Sequence, residues 1–164
     1  MRQDMTVPCG DGFINVRAGA IIMKDGKFLM VGDGEDPEYL YSVGGRLRFG
    51  ETAEEAVVRE VYEETGVRME VDRLGFVHED YFIGDMPQTP GTIYEIAFYF
   101  YMKMPDGFEP VRSFTEDAQR VYLRWVAPDD EIRFYPTFFR TELAHPQNTV
   151  KHIATDERRK GTEA

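Results

Sequence analysis

Between Gly45 and Val67 the chain reads GRLRFGETAEEAVVREVYEETGV, and no other stretch restricts the fold as much. Thr52 is a good N-cap, and Glu55 three residues later completes a capping box. The helix is predicted over Ala53–Thr65, with Gly66 as its left-handed stop. Glu60, Glu63 and Glu64 then share one face, Glu64 roughly 40° and Glu63 roughly 60° to either side of Glu60. Like charges at this spacing oppose the helix by about 0.2–0.5 kcal/mol per pair, which a divalent cation among the carboxylates would reverse. Arg59 flanks Glu63, stands four residues after Glu55, and can grip a carboxylate through two nitrogens. The plainer alternative is a surface helix laced with charge pairs. Gly44-Gly45 and Gly50 ahead of it argue for a site, because glycine permits backbone conformations that a side chain would block.

The whole chain is compatible with such a site. Its 164 residues suffice for one domain with a real core, expected over 1–164 with 1–11 and 154–164 flexible. A 13% aromatic content argues against disorder. No apolar run is long enough to span a bilayer, and the first residues lack the apolar core of a signal peptide. Cys9 is the sole cysteine, so no intrachain disulfide forms, and a reducing cytoplasm is expected. A net charge of −11 argues against an extended nucleic-acid partner. It leaves a small phosphate-bearing substrate open, because a cation-loaded carboxylate cluster attracts anions locally.

Along the chain, residues 13–32 read as a β-hairpin about the turn Lys24-Asp25-Gly26. An acidic loop, 32–37, and a short strand, 39–43, deliver the chain to Gly44. Strand patterns follow at 68–83, 92–104 and 120–126. In the second of these Glu95 is the only acid, and an acid in a central strand needs a partner. Pro128–Ile132 is expected to start a short helix, 137–144 to form a late one, and 149–164 to fray. His145 and His152 read as surface residues and His78 as structural.

The spacing from Gly45 through Glu51 to Arg59-Glu60-Val61-Tyr62-Glu63-Glu64-Thr65-Gly66-Val67 resembles the Nudix box, Gx5Ex7REUxEExGU, with U aliphatic. Every specified position matches. The resemblance implies an α/β/α sandwich around a mixed β-sheet. It implies hydrolysis of a nucleoside diphosphate linked to another moiety, by water attack on phosphorus, with Mg²⁺ or Mn²⁺. It further implies Glu60 and Glu64 as principal metal ligands, Glu63 as a further ligand or as a partner held behind them, and the Gly45 carbonyl completing the set. Arg59 would orient the glutamates together with Glu51, while Gly44 and Gly66 support the geometry.

The general base is open in such a family between a box glutamate, here Glu63, and a later acid. Glu116 leads outside the box, followed by Glu95 and Glu79. Two other functions stand beside hydrolysis: a non-catalytic nucleotide sensor, and an isomerase on the same fold. Tyr39, Tyr41, Tyr81, Phe82 and Phe134 are candidates to stack on a base. Nucleoside triphosphates, nucleotide sugars and dinucleoside polyphosphates all remain open as substrates, and a homodimer is compatible with the aromatic strands.

Overall fold

The computed structural model describes residues 3–110, 113–114 and 120–158. In chain order the elements are β1 (Thr6–Cys9), β2 (Gly12–Ile21), β3 (Met23–Lys24), β4 (Lys27–Asp33), β5 (Leu40–Ser42) and β6 (Gly44–Arg46). Helix α1 (Ala53–Thr65) follows, then β7 (Glu70–Gly84), β8 (Gly91–Lys103), β9 (Ser113–Phe114), β10 (Arg120–Val126) and β11 (Phe134–Tyr135). The short helix α2 (Phe139–Glu142) and β12 (Lys151–Asp156) end the described chain. Among the described residues no helix is long and apolar enough to cross a membrane.

The strands form two sheets. A mixed sheet runs β1-β2-β8-β7-β12, with β6 also on β2; the other runs β11-β5-β4-β10-β9, with β3 on β4. Side-chain alternation makes this an α/β/α sandwich. On β8, Phe100 and Met102 join one core cluster with Ala56, Val57 and Val61 of α1. Ala97, Tyr99 and Tyr101, on the other face, join a second cluster with Phe139 of α2 and Leu143. On β4, Leu29 and Val31 go to the first cluster, Phe28 and Met30 to the second. The two helices thus cover opposite faces, as the period of two requires.

Several expectations are corrected. The turn at Lys24–Gly26 is present, with Asp25 at φ 52° and Gly26 at φ 74°. The hairpin around it is only the two-residue β3 paired with β4. β2 instead runs parallel to β8 from Phe13↔Ile93 to Ile21↔Tyr101, a longer ladder than the local one. The region expected to be a loose N-terminus carries β1, antiparallel to β2. The tail expected to fray carries β12, parallel to β7. Residues 128–132 form a turn instead of a helix start: Asp130 N–H donates to Ala127 O, and Ala127 N–H to Asp130 Oδ2 at 2.9 Å. The late helix is limited to Phe139–Glu142.

Candidate functional site

Helix α1 forms where its caps place it. Glu55 N–H donates to Thr52 Oγ1 at 3.2 Å, and Thr52 N–H donates to Glu55 Oε2 at 2.8 Å. At the other end Gly66 takes φ 73°, and its N–H closes on Tyr62 O. Because Glu55 serves the cap, it is not the partner of Arg59. The Arg59 fork takes Glu51 instead, Nε to Oε1 at 2.7 Å and Nη2 to Oε2 at 3.0 Å. Its Nη1 reaches Glu60 Oε1 at 2.6 Å and Glu63 Oε2 at 3.2 Å, and Nη2 also donates to Arg46 O at 3.1 Å. One guanidinium therefore joins the loop before the helix to two of its acidic side chains. Hydrogen bonds from Arg59 hold Glu51 below the usual carboxylate range in spite of its burial.

Glu64 lies at the other side of the cluster. Gly44 N–H donates to its Oε2 at 2.9 Å. Burial first, and then the charge of Glu60, push its pKa up to about 8, against the pull of Gly44 and Arg17. Glu60 presses against the backbone: a Cβ on Gly45 would lie 2.4 Å from Glu60 Oε1. Gly45 is thus required by a close approach to a side chain. Gly44, at φ 148°, faces backbone instead, and a Cβ there would lie 2.3 Å from Ala18 O. Leu47 N–H donates to Val16 O and Ala20 N–H to Val43 O. By alternation, the Ala18–Gly45 pair between them is of the hydrogen-bonded kind. The Gly45 carbonyl then keeps one lone pair for another use.

These donors suit a hard divalent cation. Two crowded carboxylates, one half-buried and held with a raised pKa, are stabilised by positive charge between them, and carboxylate and carbonyl oxygens match Mg²⁺ or Mn²⁺. Among the described residues no group of three His, Cys, Asp or Glu side chains is arranged to hold a metal ion by itself. The set fits an ion that retains several waters better than one enclosed by protein.

Beside the box opens a cleft of about 710 Å³. Its floor is the α2-side face of the mixed sheet: Arg17 on β2, Glu95 and Tyr99 on β8, His78 and Asp80 on β7, and Thr155 on β12. Its wall comes from the second sheet and the loop before it. Tyr39 meets Tyr41 edge-on at 5.0 Å and Tyr135 at 5.8 Å, with Arg133 5.7 Å above Tyr39. Arg17 links cleft and box. Its Nη2 donates to Ser42 O at 3.0 Å. Burial works against its charge, yet Tyr99, Glu95, Glu64 and Glu60 together hold its pKa above the ordinary value.

The residues read from the sequence therefore separate. Gly44, Gly45, Glu51, Arg59, Glu60, Glu63 and Glu64 come together, and Gly66 caps their helix. Glu95 lines the cleft. Glu79 faces the other side of the sheet, since its neighbour Asp80 is the residue paired with Glu95; it is held by Tyr94 and His152. Glu116 lies outside the described residues. Of the aromatic candidates, Tyr39, Tyr41 and Phe82 line the cleft, and Phe134 is buried in the core. Tyr81 packs on Tyr94 and under Arg158. Arg17, Tyr99 and Tyr135 were not singled out by sequence. The one signal for them was polar Asn15 and Arg17 alternating through an otherwise apolar strand.

A NUDIX domain model matches residues 14–153. A MutT-like protein of Streptomyces ambofaciens is 32% identical over 113 residues, 69% of this chain. The chain spans 63% of that relative's length. Among solved structures, the MutT protein of Bacillus halodurans superposes with a TM-score of 0.63 at 14% identity, over 89% of this chain and 92% of that one. The MutT NUDIX hydrolase of Burkholderia pseudomallei does so with a TM-score of 0.52 at 28% identity, over 71% and 85%. The box, the sandwich and the matched span agree: the chain belongs to the NUDIX family.

Proposed function

We propose that the protein is a pyrophosphohydrolase that uses Mg²⁺ or Mn²⁺ to cleave a nucleoside diphosphate linked to another moiety. The observation that carries this reading is the Glu64 carboxylate, half-buried, anchored on Gly44 N–H and crowded by Glu60. Glu60 and Glu64 would hold the ion, with Glu63 and the Gly45 carbonyl as further donors. Such an ion, when bound, polarises phosphoryl oxygens and acidifies a coordinated water.

The chain's own groups do the positioning. Arg59 keeps Glu51, Glu60 and Glu63 in fixed relation, so the carboxylates need little reorganisation before reaction. Arg17 places a positive charge between the box and the cleft, where the phosphates of a bound substrate would pass. Glu63, held between Arg59 and Arg48, and Glu116 are the candidates to accept the proton of the attacking water. The aromatic wall gives a base a surface to stack on. A reducing cytoplasm, the expected setting from the lone free Cys9, belongs to this proposal too.

Glu64→Gln tests the reading on a panel of nucleoside triphosphates, nucleotide sugars and dinucleoside polyphosphates with Mg²⁺ and Mn²⁺. The variant is expected to lose more than about 100-fold in turnover, with its circular dichroism spectrum unchanged. Near-normal turnover in the variant sinks the proposal. Tight nucleotide binding by the wild type with no product at all replaces it with a sensor function.

A further inference from the structure

One acceptor on the cleft floor, the Glu95 carboxylate, has no hydrogen-bond donor among the described residues, and the buried Asn15 beside it lacks one for its Oδ1. Asn15 is 3% exposed, and its Oδ1 has no hydrogen-bond partner. Glu95, its direct neighbour across the β2–β8 register, is partly buried and accepts no hydrogen bond from any described group. A carboxylate on the floor of a cleft with no donor of its own is placed to accept a charge-assisted hydrogen bond from a bound ligand. Register partners in a sheet project to the same face, here the face that also bears Arg17, Tyr99 and Asp80.

The charges around this pair restrict the ligand further. From β2 to β12 the floor spans three strand spacings, roughly 14 Å. Beyond Glu95 it carries Asp80, which accepts a hydrogen bond from Thr155, and then Glu157. Of the three arginines lining the cleft, Arg158 is paired with Asp156, while Arg17 at the box end and Arg133 on the opposite wall donate to uncharged oxygens, Ser42 O and the Tyr135 hydroxyl. Phosphate is therefore favoured at the box end and opposed past Glu95. Hydroxyl donors are favoured there, and the Tyr39–Tyr41–Tyr135 wall stands opposite for a ring.

We infer that Glu95 is a specificity-determining acceptor for the free 2′,3′-hydroxyls of the substrate's ribose, and that the cleft rejects nucleotides phosphorylated on that sugar. The same chemistry operates in other nucleotide sites, where an acid accepts from an unmodified ribose hydroxyl and an arginine is needed for a ribose phosphate. The inference rests on the reading of the chain as a nucleotide enzyme.

Calorimetric titration in Mg²⁺ tests it through binding and not through turnover. The probes are adenosine, guanosine, cytidine and uridine 5′-diphosphates, each compared with its 2′,3′-dideoxy and 3′-phosphorylated forms. For the nucleoside that binds best, removal of the hydroxyls is expected to weaken binding about tenfold or more, the worth of a hydrogen bond to a charged group. The 3′-phosphate is expected to weaken it by at least as much. In Glu95→Gln the penalty for the 3′-phosphate is expected to shrink to less than about threefold, because an uncharged acceptor no longer repels it. Equal or tighter binding of the 3′-phosphorylated form by the wild type overturns the inference. So does an unchanged penalty in Glu95→Gln, or no binding by any of the four diphosphates. Release of phosphoryl products on the substrate panel is scored separately. Hydrolysis without ribose discrimination therefore removes this inference alone, and absence of hydrolysis removes the catalytic reading alone.

Discussion

Gly44 and Gly45 are adjacent, and both are needed for different reasons. A Cβ on Gly45 meets the far end of the flexible Glu60 side chain, which can swing away. A Cβ on Gly44 meets the backbone of Ala18 and Gly19, which cannot, at a φ of 148° that side chains rarely adopt. Gly45→Ala is therefore expected to unfold within about 1 kcal/mol of wild type, yet to lose about tenfold or more in activity as Glu60 is displaced. Gly44→Ala is expected to lose several kcal/mol of stability, on the order of a severe core lesion. Urea unfolding and turnover measured on both variants separate the two roles. Equal stability losses would show that Gly45 is also a folding requirement. At this scale the sequence was informative about the box and silent about Arg17, because a single arginine in a strand acquires meaning only from the carboxylates brought opposite it.

Among the elements, α1 was legible to the residue, since Thr52, Glu55 and Gly66 act on backbone groups within a turn of themselves. β12 was not, because its partner β7 lies far back in the chain. Its attachment has a titratable component. Thr155 donates its only hydroxyl proton to Asp80 Oδ1 at 2.6 Å, so at the 2.8 Å contact with His78 it must accept, and His78 Nε2 carries the proton. Burial lowers the His78 pKa to about 4, against a smaller upward pull from Glu157. The folded value is below that of the unfolded chain, about 6.5. Hence the neutral form is bound by the fold, and stability is fully present above about pH 6.5. It is lost as pH falls towards 4, where the unfolded chain takes up a proton that the native one refuses. The loss is expected to approach about 3 kcal/mol. His78→Gln, which keeps a donor for Thr155 and does not titrate, is expected to flatten this slope between pH 4.5 and 7.5. An unchanged slope in urea melts would place the titration elsewhere.

For the whole molecule, the two core clusters are separate layers that meet through the strands. Phe28 is fully buried on β4, edge-on to Phe134 at 5.4 Å and to Phe139 at 5.7 Å, so it packs β11 and α2 against β4. Phe28→Ala is expected to cost about 3–5 kcal/mol in urea unfolding. A loss below about 1 kcal/mol would mean that the α2 layer contributes little to global stability. The cleft wall is built on the same strands, with Tyr135 next to Phe134 on β11 and Tyr41 next to Leu40 on β5. Partial loss of nucleotide binding should accompany the loss of stability.

The amino-acid order alone determined the helix, its caps, the spacing of Glu60, Glu63 and Glu64, and the family resemblance, and each of these is a local property. Cap hydrogen bonds, helical faces and motif spacing all act over a few residues, so they survive whatever the rest of the chain does. The departure of β2 from its expected hairpin was decided only by the tertiary structure, because β8 offers Phe13–Ile21 a long parallel ladder and a buried face, against the two-residue ladder left to β3 and β4. That one choice places Asn15, Arg17 and Glu95 side by side. The proposed metal-phosphate chemistry rests on one contiguous stretch, whereas the cleft beside it depends on β2, β5, β7, β8, β11 and β12, which only the packed sheets bring together.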